Sequence, residues 1–242
     1  LPNDDLDLQV LWLEVMERKG IRIDSDDLAE AFLNQCPYAP GEYAFFMKNY
    51  ARGIHPPLSG SFNNRYYVNG MGCPIRSEIW ALICPGNPAL AAEYAAKDGV
   101  LDHEGDSVYA EQFLAAMEAA AFFESDLNEL LRIGMPYLPE GTRIRRLVED
   151  TIAWCRSESD WVKVRANIIR RYGHPDCTNL YQNIGFTLLS LLHGQGNFLD
   201  STMIALNCGF DTDCSCATAG ALLGIIQGAS FLIDTYRFYD TS

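Results

Sequence analysis

Positive charge is scarce in this chain. Lys and Arg number 18 against 32 Asp and Glu, a formal net charge of −14 over 242 residues. That balance excludes a nucleic-acid groove or a patch for anionic lipid, since both need clustered cations to displace counterions. Histidine is scarcer still: His55, His103, His174 and His193 are the whole set, and no HxxxH spacing exists to support zinc-protease chemistry. The eight cysteines form no CxxC…CxxC frame, and a chain of this length needs no disulfide staples. They are read as mostly buried, reduced thiols. Strand signals are nearly absent, with Arg65-Tyr66-Tyr67-Val68 as the one short candidate. No repeat, low-complexity tract or linker stands out, and no signal-peptide pattern is read. The opening Leu1 in place of Met suggests a trimmed chain, and cytoplasmic placement is the expectation.

What is present is ordinary globular composition, 48% apolar and 21% charged. Such an acidic chain suits small molecules or metal cations as ligands. An anionic ligand would need a metal or backbone N–H groups to offset the field. The pattern is helix after helix, punctuated by caps and turns. Runs are expected at 6–19, 28–36, 41–52, 75–84, 107–123, 126–133, 143–156, 160–172, 179–193, 198–207 and 213–231. Asn87-Pro88 supplies a cap and an N1 proline for another helix. The uncharged stretch Cys214–Ile233 reads as a buried core helix, because Ser215, Thr218, Gln227 and Ser230 lie in it and no Lys/Arg cluster anchors its ends. Gly220, Gly224 and Gly228 recur every four residues and predict a smooth face for close helix approach. The expected architecture is one all-α domain over 1–242.

Two acidic clusters carry the chemistry. Asn3-Asp4-Asp5 precedes the first helix, and Asp211-Thr212-Asp213 precedes the last long one. One reading is N-capping, where side-chain oxygens satisfy orphan N–H groups and the helix dipole favours negative charge. The other reading is cation binding. Each cluster opens a helix read as buried, where bare carboxylates are costly, and all-oxygen donors select Mg²⁺, Ca²⁺ or Mn²⁺. A soft-metal site at Cys208, Cys214 and Cys216 is the weaker option, because the Asp pair beside them favours hard ions.

These segments resemble the ADP-ribosylglycohydrolase family across almost the whole chain. Asn3-Asp4-Asp5-Leu6 resembles its Thr-Asp-Asp-Thr segment, and Asn69-Gly70-Met71-Gly72 through Ile75-Arg76 its Asn-Gly…Met-Arg region. Leu101-Asp102-His103 with Gly105, Ser107 and Tyr109 is similar to its substrate loop. Gly209-Phe210-Asp211-Thr212-Asp213-Cys214, running into a small-residue helix, is similar to its Gly-Gly-Asp-Thr-Asp-Thr signature. The resemblance implies a compact multi-helix fold holding two Mg²⁺ ions, with Mn²⁺ as the substitute, at the base of an ADP-ribose cleft. Its metal ligands would be Asn3, Asp4, Asp5, Asp211, Asp213 and Cys214, with Asp4, Asp5 and Asp211 in the catalytic role. Its substrate contacts would be Gly70, Gly72, His103, Gly105, Ser107, Tyr109 and Phe210. The partner so implied is ADP-ribose or an ADP-ribosylated substrate, with neither nucleic acid nor membrane involved.

Three departures accompany the resemblance. Asn3 and Cys214 stand where Thr is usual, and Cys is a poor partner for magnesium, which makes a bystander role for Cys214 an open reading. Leu6 also replaces a Thr. The family's opening glycine-rich helix, with a glutamate often assigned to catalysis, is not in this sequence. The alternative function is therefore a non-catalytic ADP-ribose-binding or scaffold protein on the same fold.

Overall fold

In a computed structural model, residues 3–36 and 40–237 are described. Among them the chain forms α1 (Asp4–Lys19), α2 (Ser25–Gln35), α3 (Gly41–Tyr50), α4 (Leu58–Ser61), α5 (Ser77–Ile83), α6 (Pro88–Gly99), α7 (Asp106–Ala121), α8 (Leu127–Gly134), α9 (Arg143–Ser157), α10 (Trp161–Tyr172), α11 (Leu180–His193), α12 (Phe198–Cys208), α13 (Thr212–Gln227) and α14 (Ala229–Tyr236). The boundaries follow cap chemistry. Asn87, Asp126, Thr142, Asp160, Asn179 and Asn197 each accept a first-turn N–H through a side-chain oxygen.

Two apolar clusters fill the interior, and α7 belongs to both. Phe113, Leu114 and Met117 face the cluster built with α8, α9, α10, α11 and α13, while Ala115 and Ala119 face the one built with α1, α2, α3, α5 and α6. Alanine on the second face lets α6 and α5 come close, so large side chains there are supplied by the neighbours, chiefly Trp12, Trp80 and Phe32. The fold is all-α, as the helix pattern predicts.

The structure departs from expectation in four places. Arg65–Val68 is a series of turns, with Val68 N–H donating to Asn64 and Gly70 N–H to Tyr67, because the described residues offer no second strand to take its backbone bonds. The only bridge among the described residues is the isolated pair Gly70–Asn179. Cys214–Ile233 is not one core helix. It breaks at Gly228 (φ +78°), and α14 leaves α13 at 105° with no buried residue of its own. No single described helix is long and apolar enough to cross a membrane. The glycine row does not serve close packing: a Cβ at Gly220 would meet the Phe198 ring at an ordinary 3.7 Å. The tight crossing is instead at Gly194, where a Cβ would collide with Ser201 of α12. Finally, α1 is buried along one face only; Leu6, Val10 and Leu13 stay exposed.

Candidate metal centre and ligand cleft

Helices α1 and α13 begin at the same place. Asn3 has extended backbone, and its Oδ1 accepts the N–H of Leu6 at 3.2 Å, so it caps α1. That leaves the carboxylates of Asp4 and Asp5 free of capping duty. On the other side, α12 ends at Cys208 and the chain reverses through Gly209 (φ +74°) and Phe210 (φ +66°). Glycine adopts this backbone without penalty; phenylalanine does not, and its ring is held against Phe186 at 5.8 Å between centroids. The reversal delivers Asp211, whose N–H donates to Asn183 Oδ1 at 3.3 Å and whose carbonyl accepts from Ser215. Asp211 stands at the N-cap position of α13, yet its side chain makes no cap hydrogen bond. Capping thus accounts for Asn3 and not for the aspartates.

A ligand atom from each of Asp5, Asp213 and Cys214 lies within 4.8 Å of the other two. Asp5 is 7% exposed, and neither of its oxygens has a hydrogen-bond partner. Burial, with repulsion from Asp213 and Asp4, pushes its carboxyl up to about 6 against the opposing effect of the Cys214 thiol. Asp211 is pushed up to about 7, again mainly by burial, with Asp213 and Asp5 adding to it. Behind Asp5, buried Glu78 accepts a hydrogen bond from Gln9 at 3.0 Å and is also pushed up to about 7, by burial and by Asp5. No basic side chain is among the main influences on Asp5 or Asp211. A buried carboxylate with only a thiol beside it and no countercharge is what a divalent cation satisfies, and the oxygen-rich donor set fits a hard one.

The cluster opens on a cavity of about 420 Å³. Asp4, Asp211, Asp213 and Cys214 form one wall, and Glu42, Tyr43 and Gly72 another. Asp176 and Thr178 complete it, brought there by paired loops: Met71 N–H donates to Thr178 and Leu180 N–H to Asn69. Tyr43 donates to Asp4 at 3.4 Å. A Cβ at Gly72 would displace the Glu42 carboxylate and come to 3.0 Å from the Tyr43 hydroxyl. The Glu42 carboxyl is raised, chiefly by burial, and its Oε1 lies 3.8 Å from His103 Nε2. His103 itself is fully buried, with Nδ1 2.6 Å from Asp102. Asp102 in turn takes a paired contact from Arg76 at 2.8 and 3.0 Å, which holds its carboxyl down at about 2 against burial.

Of the residues singled out from sequence, the fold brings Asp4, Asp5, Gly72, Asp211, Asp213 and Cys214 to one place. The others stand off the cavity wall. Ser107 is buried and donates to the Gly70 carbonyl at 3.0 Å, Gly105 (φ +62°) begins α7, Tyr109 packs against the core, and Phe210 sits 38% exposed at the reversal. Cys208 is buried and Cys216 contacts the Thr202 carbonyl, so neither joins Cys214. Sequence reasoning missed Glu42, Tyr43, Asp176 and Thr178. Asp176 had a local sign, the Asp-x-Thr turn in which its Oδ1 accepts from Thr178 N–H at 3.0 Å. Glu42 had none.

The sequence matches the ADP-ribosylglycohydrolase family over residues 1–237, and the chain belongs to that family. Membership supports a hydrolase of the ADP-ribosylglycohydrolase type, a family whose substrates are ADP-ribosylated compounds, and Asp5, Asp213 and Cys214 are a group that could hold a metal ion. No curated protein matches the chain.

Proposed function

We propose that the chain is a magnesium-dependent hydrolase that cleaves the N- or O-glycosidic bond between ADP-ribose and a modified protein or small acceptor. The observation that carries this reading is Asp5, buried with both oxygens unpartnered where two acid-bearing helix starts converge. Asp4, Asp5, Asp211 and Asp213 would hold the cation, with manganese as the substitute. When bound, the cation supplies Lewis acidity that makes a water more acidic and fixes the ribose hydroxyls. The chain's own contribution is positional and electrostatic. Tyr43 steadies Asp4, and the wall of carboxylates stabilises positive charge growing on the sugar ring as the anomeric bond breaks. Glu42, its carboxyl raised chiefly by burial, lines the same cavity and would give a proton to the departing acceptor atom, while water's hydroxyl adds to the anomeric carbon and water's remaining proton returns to the Glu42 carboxylate.

Incubating a mono-ADP-ribosylated protein with the chain tests this. Free ADP-ribose is expected with magnesium and not with EDTA, and Asp211→Ala or Asp4→Ala abolishes release while leaving the helical circular dichroism intact. Full activity in either variant sinks the assignment. The second reading, an ADP-ribose binder without turnover, is favoured by the thiol of Cys214 among the carboxylates. Calorimetric binding of ADP-ribose without release would select it.

A further inference from the structure

We infer that His103 is a positioning residue for Glu42: its ring, enclosed behind the cavity wall, donates from Nε2 to the Glu42 carboxyl and steadies the carboxylate left when that group gives up its proton. This rests on reading Glu42 as the proton donor of the hydrolase, and it adds the residue through which that donor is held. His103 is fully buried and does not line the cavity, so the substrate contact implied by the family resemblance is closed to it. Its Nδ1 is taken by Asp102 at 2.6 Å, whereas its Nε2 is buried with no hydrogen bond. Glu42 Oε1 lies 3.8 Å from that nitrogen, on a side chain 16% exposed that does line the cavity. A small side-chain movement closes such a gap, as catalytic hydrogen bonds tighten when substrate binds.

The frame behind the ring fixes its aim. Arg76 grips Asp102 through both oxygens, Asn64 donates to the Asp102 carbonyl at 3.2 Å, and the His103 N–H donates to Gly99. α4 lies so close that a Cβ at Gly60 would come within 2.5 Å of the His103 backbone. A Cβ at Gly70 would stand 3.3 Å from Nε2 and 3.4 Å from Glu42 Oε1, so glycine leaves the space between the two groups open. The charged groups around the pair are Asp102 and Arg76, with Tyr43 beside Glu42 on α3; Asp98 of α6 and Glu111 of α7 act on Arg76 from behind. A carboxylate on Nδ1 and a carboxyl at Nε2 favour a proton on both ring nitrogens. Burial raises the Glu42 carboxyl and the ring's charge opposes it, which suits a group that must hold a proton and then part with it. The carboxyl's proton passes to the departing acceptor atom, and water's remaining proton restores it. His103 keeps its own Nε2 proton throughout.

The choice of leaving group separates this role from a structural one. ADP-ribose on a peptide serine or arginine leaves only with a proton, whereas ADP-ribose joined to a nitrophenol leaves without one. In the magnesium-loaded full chain, His103→Gln is expected to lower kcat on the peptide roughly ten- to a hundredfold, the worth of one hydrogen bond to a charged group, with KM unchanged. On the nitrophenol compound the loss stays below about threefold. Equal losses on both substrates, or full activity on the peptide, overturn the inference. Nitrogen NMR of the histidine rings in the metal-free chain requires neither turnover nor a folded His103→Gln, since His55, His174 and His193 are each assigned by their own Gln substitution. Expected is a His103 ring that keeps its Nε2 proton to higher pH in the native chain than in Glu42→Gln. A ring indifferent to that change overturns the pairing. Should the native chain release ADP-ribose from no substrate, the hydrolase reading fails and the ring spectra alone decide for or against the pairing.

Discussion

The protein buries acids in two places and treats them in opposite ways. Around Arg76, fully enclosed, Asp98 receives Nε1 of Trp12 and of Trp80, each at 3.0 Å, together with the guanidinium at 3.0 Å. Asp102 takes the other face of the same guanidinium, and Glu111 accepts from Trp80 at 3.1 Å and from Cys73 at 2.8 Å. At the meeting of α1 and α13, by contrast, Asp5 has no basic partner, only the Cys214 thiol beside it. The first assembly holds a countercharge that the chain supplies. The second has no basic side chain among the main influences on its acids. A buried acid is therefore a sign of function when its countercharge is missing, and a sign of architecture when it is present.

The largest effect should come from breaking the first assembly. Arg76→Met strips the countercharge from Asp98 and Asp102, and a loss of about 3–5 kcal/mol is expected, read by urea unfolding. The matching change at the other assembly has the opposite sign. Asp5→Asn removes an unpaired charge, so the metal-free variant melts no lower than the native chain. It loses the rise of roughly 5–10 °C that a saturating divalent cation gives the native chain.

Acidity separates the regions further. Asp5 and Asp211 are raised from 3.8 to about 6 and about 7, so the folded, metal-free chain binds more protons than the unfolded one between those values. Its stability falls as pH rises through that window, and the cation's effect grows over the same range. Asp102 is lowered to about 2, so its contribution holds above the ordinary value of 3.8 and is lost as pH falls through about 2. Melting temperatures from about pH 2 to about pH 8, with and without magnesium, read both trends. A stability that rises steadily with pH in the metal-free chain contradicts the comparison. The smallest effect belongs to Asn3. Asn3→Ala should cost about 1 kcal/mol as a lost cap and leave the cation response intact, whereas loss of that response would make Asn3 a ligand.

Much of the fold was legible because helix ends are written locally. Asn87-Pro88, Asp126 and Asn179 marked starts that the structure places within a residue. The break at Gly228 was not, since Gly220, Gly224 and Gly228 recur in one uncharged run and nothing local tells which of them ends the helix. The turns at 65–68 were misread for a related reason: Tyr66 and Tyr67 suit a strand, and only the lack of a partner forbids one. At the site, the acid clusters could be read because each is contiguous in sequence. Glu42, Arg76 and Glu78 reach theirs through packing between elements distant in the chain, which no spacing announces.

The two helix starts that share the acid cluster lie early and late in the sequence, so an ion held between Asp5 and Asp213 ties remote stretches of chain together. It would act as a reversible clasp, withdrawing loop entropy as a covalent cross-link does, but under control of the surrounding ion concentration. Chelation would then loosen α1 from α13 before it disturbs α7 or α11, and amide exchange would show the seam opening from its two ends.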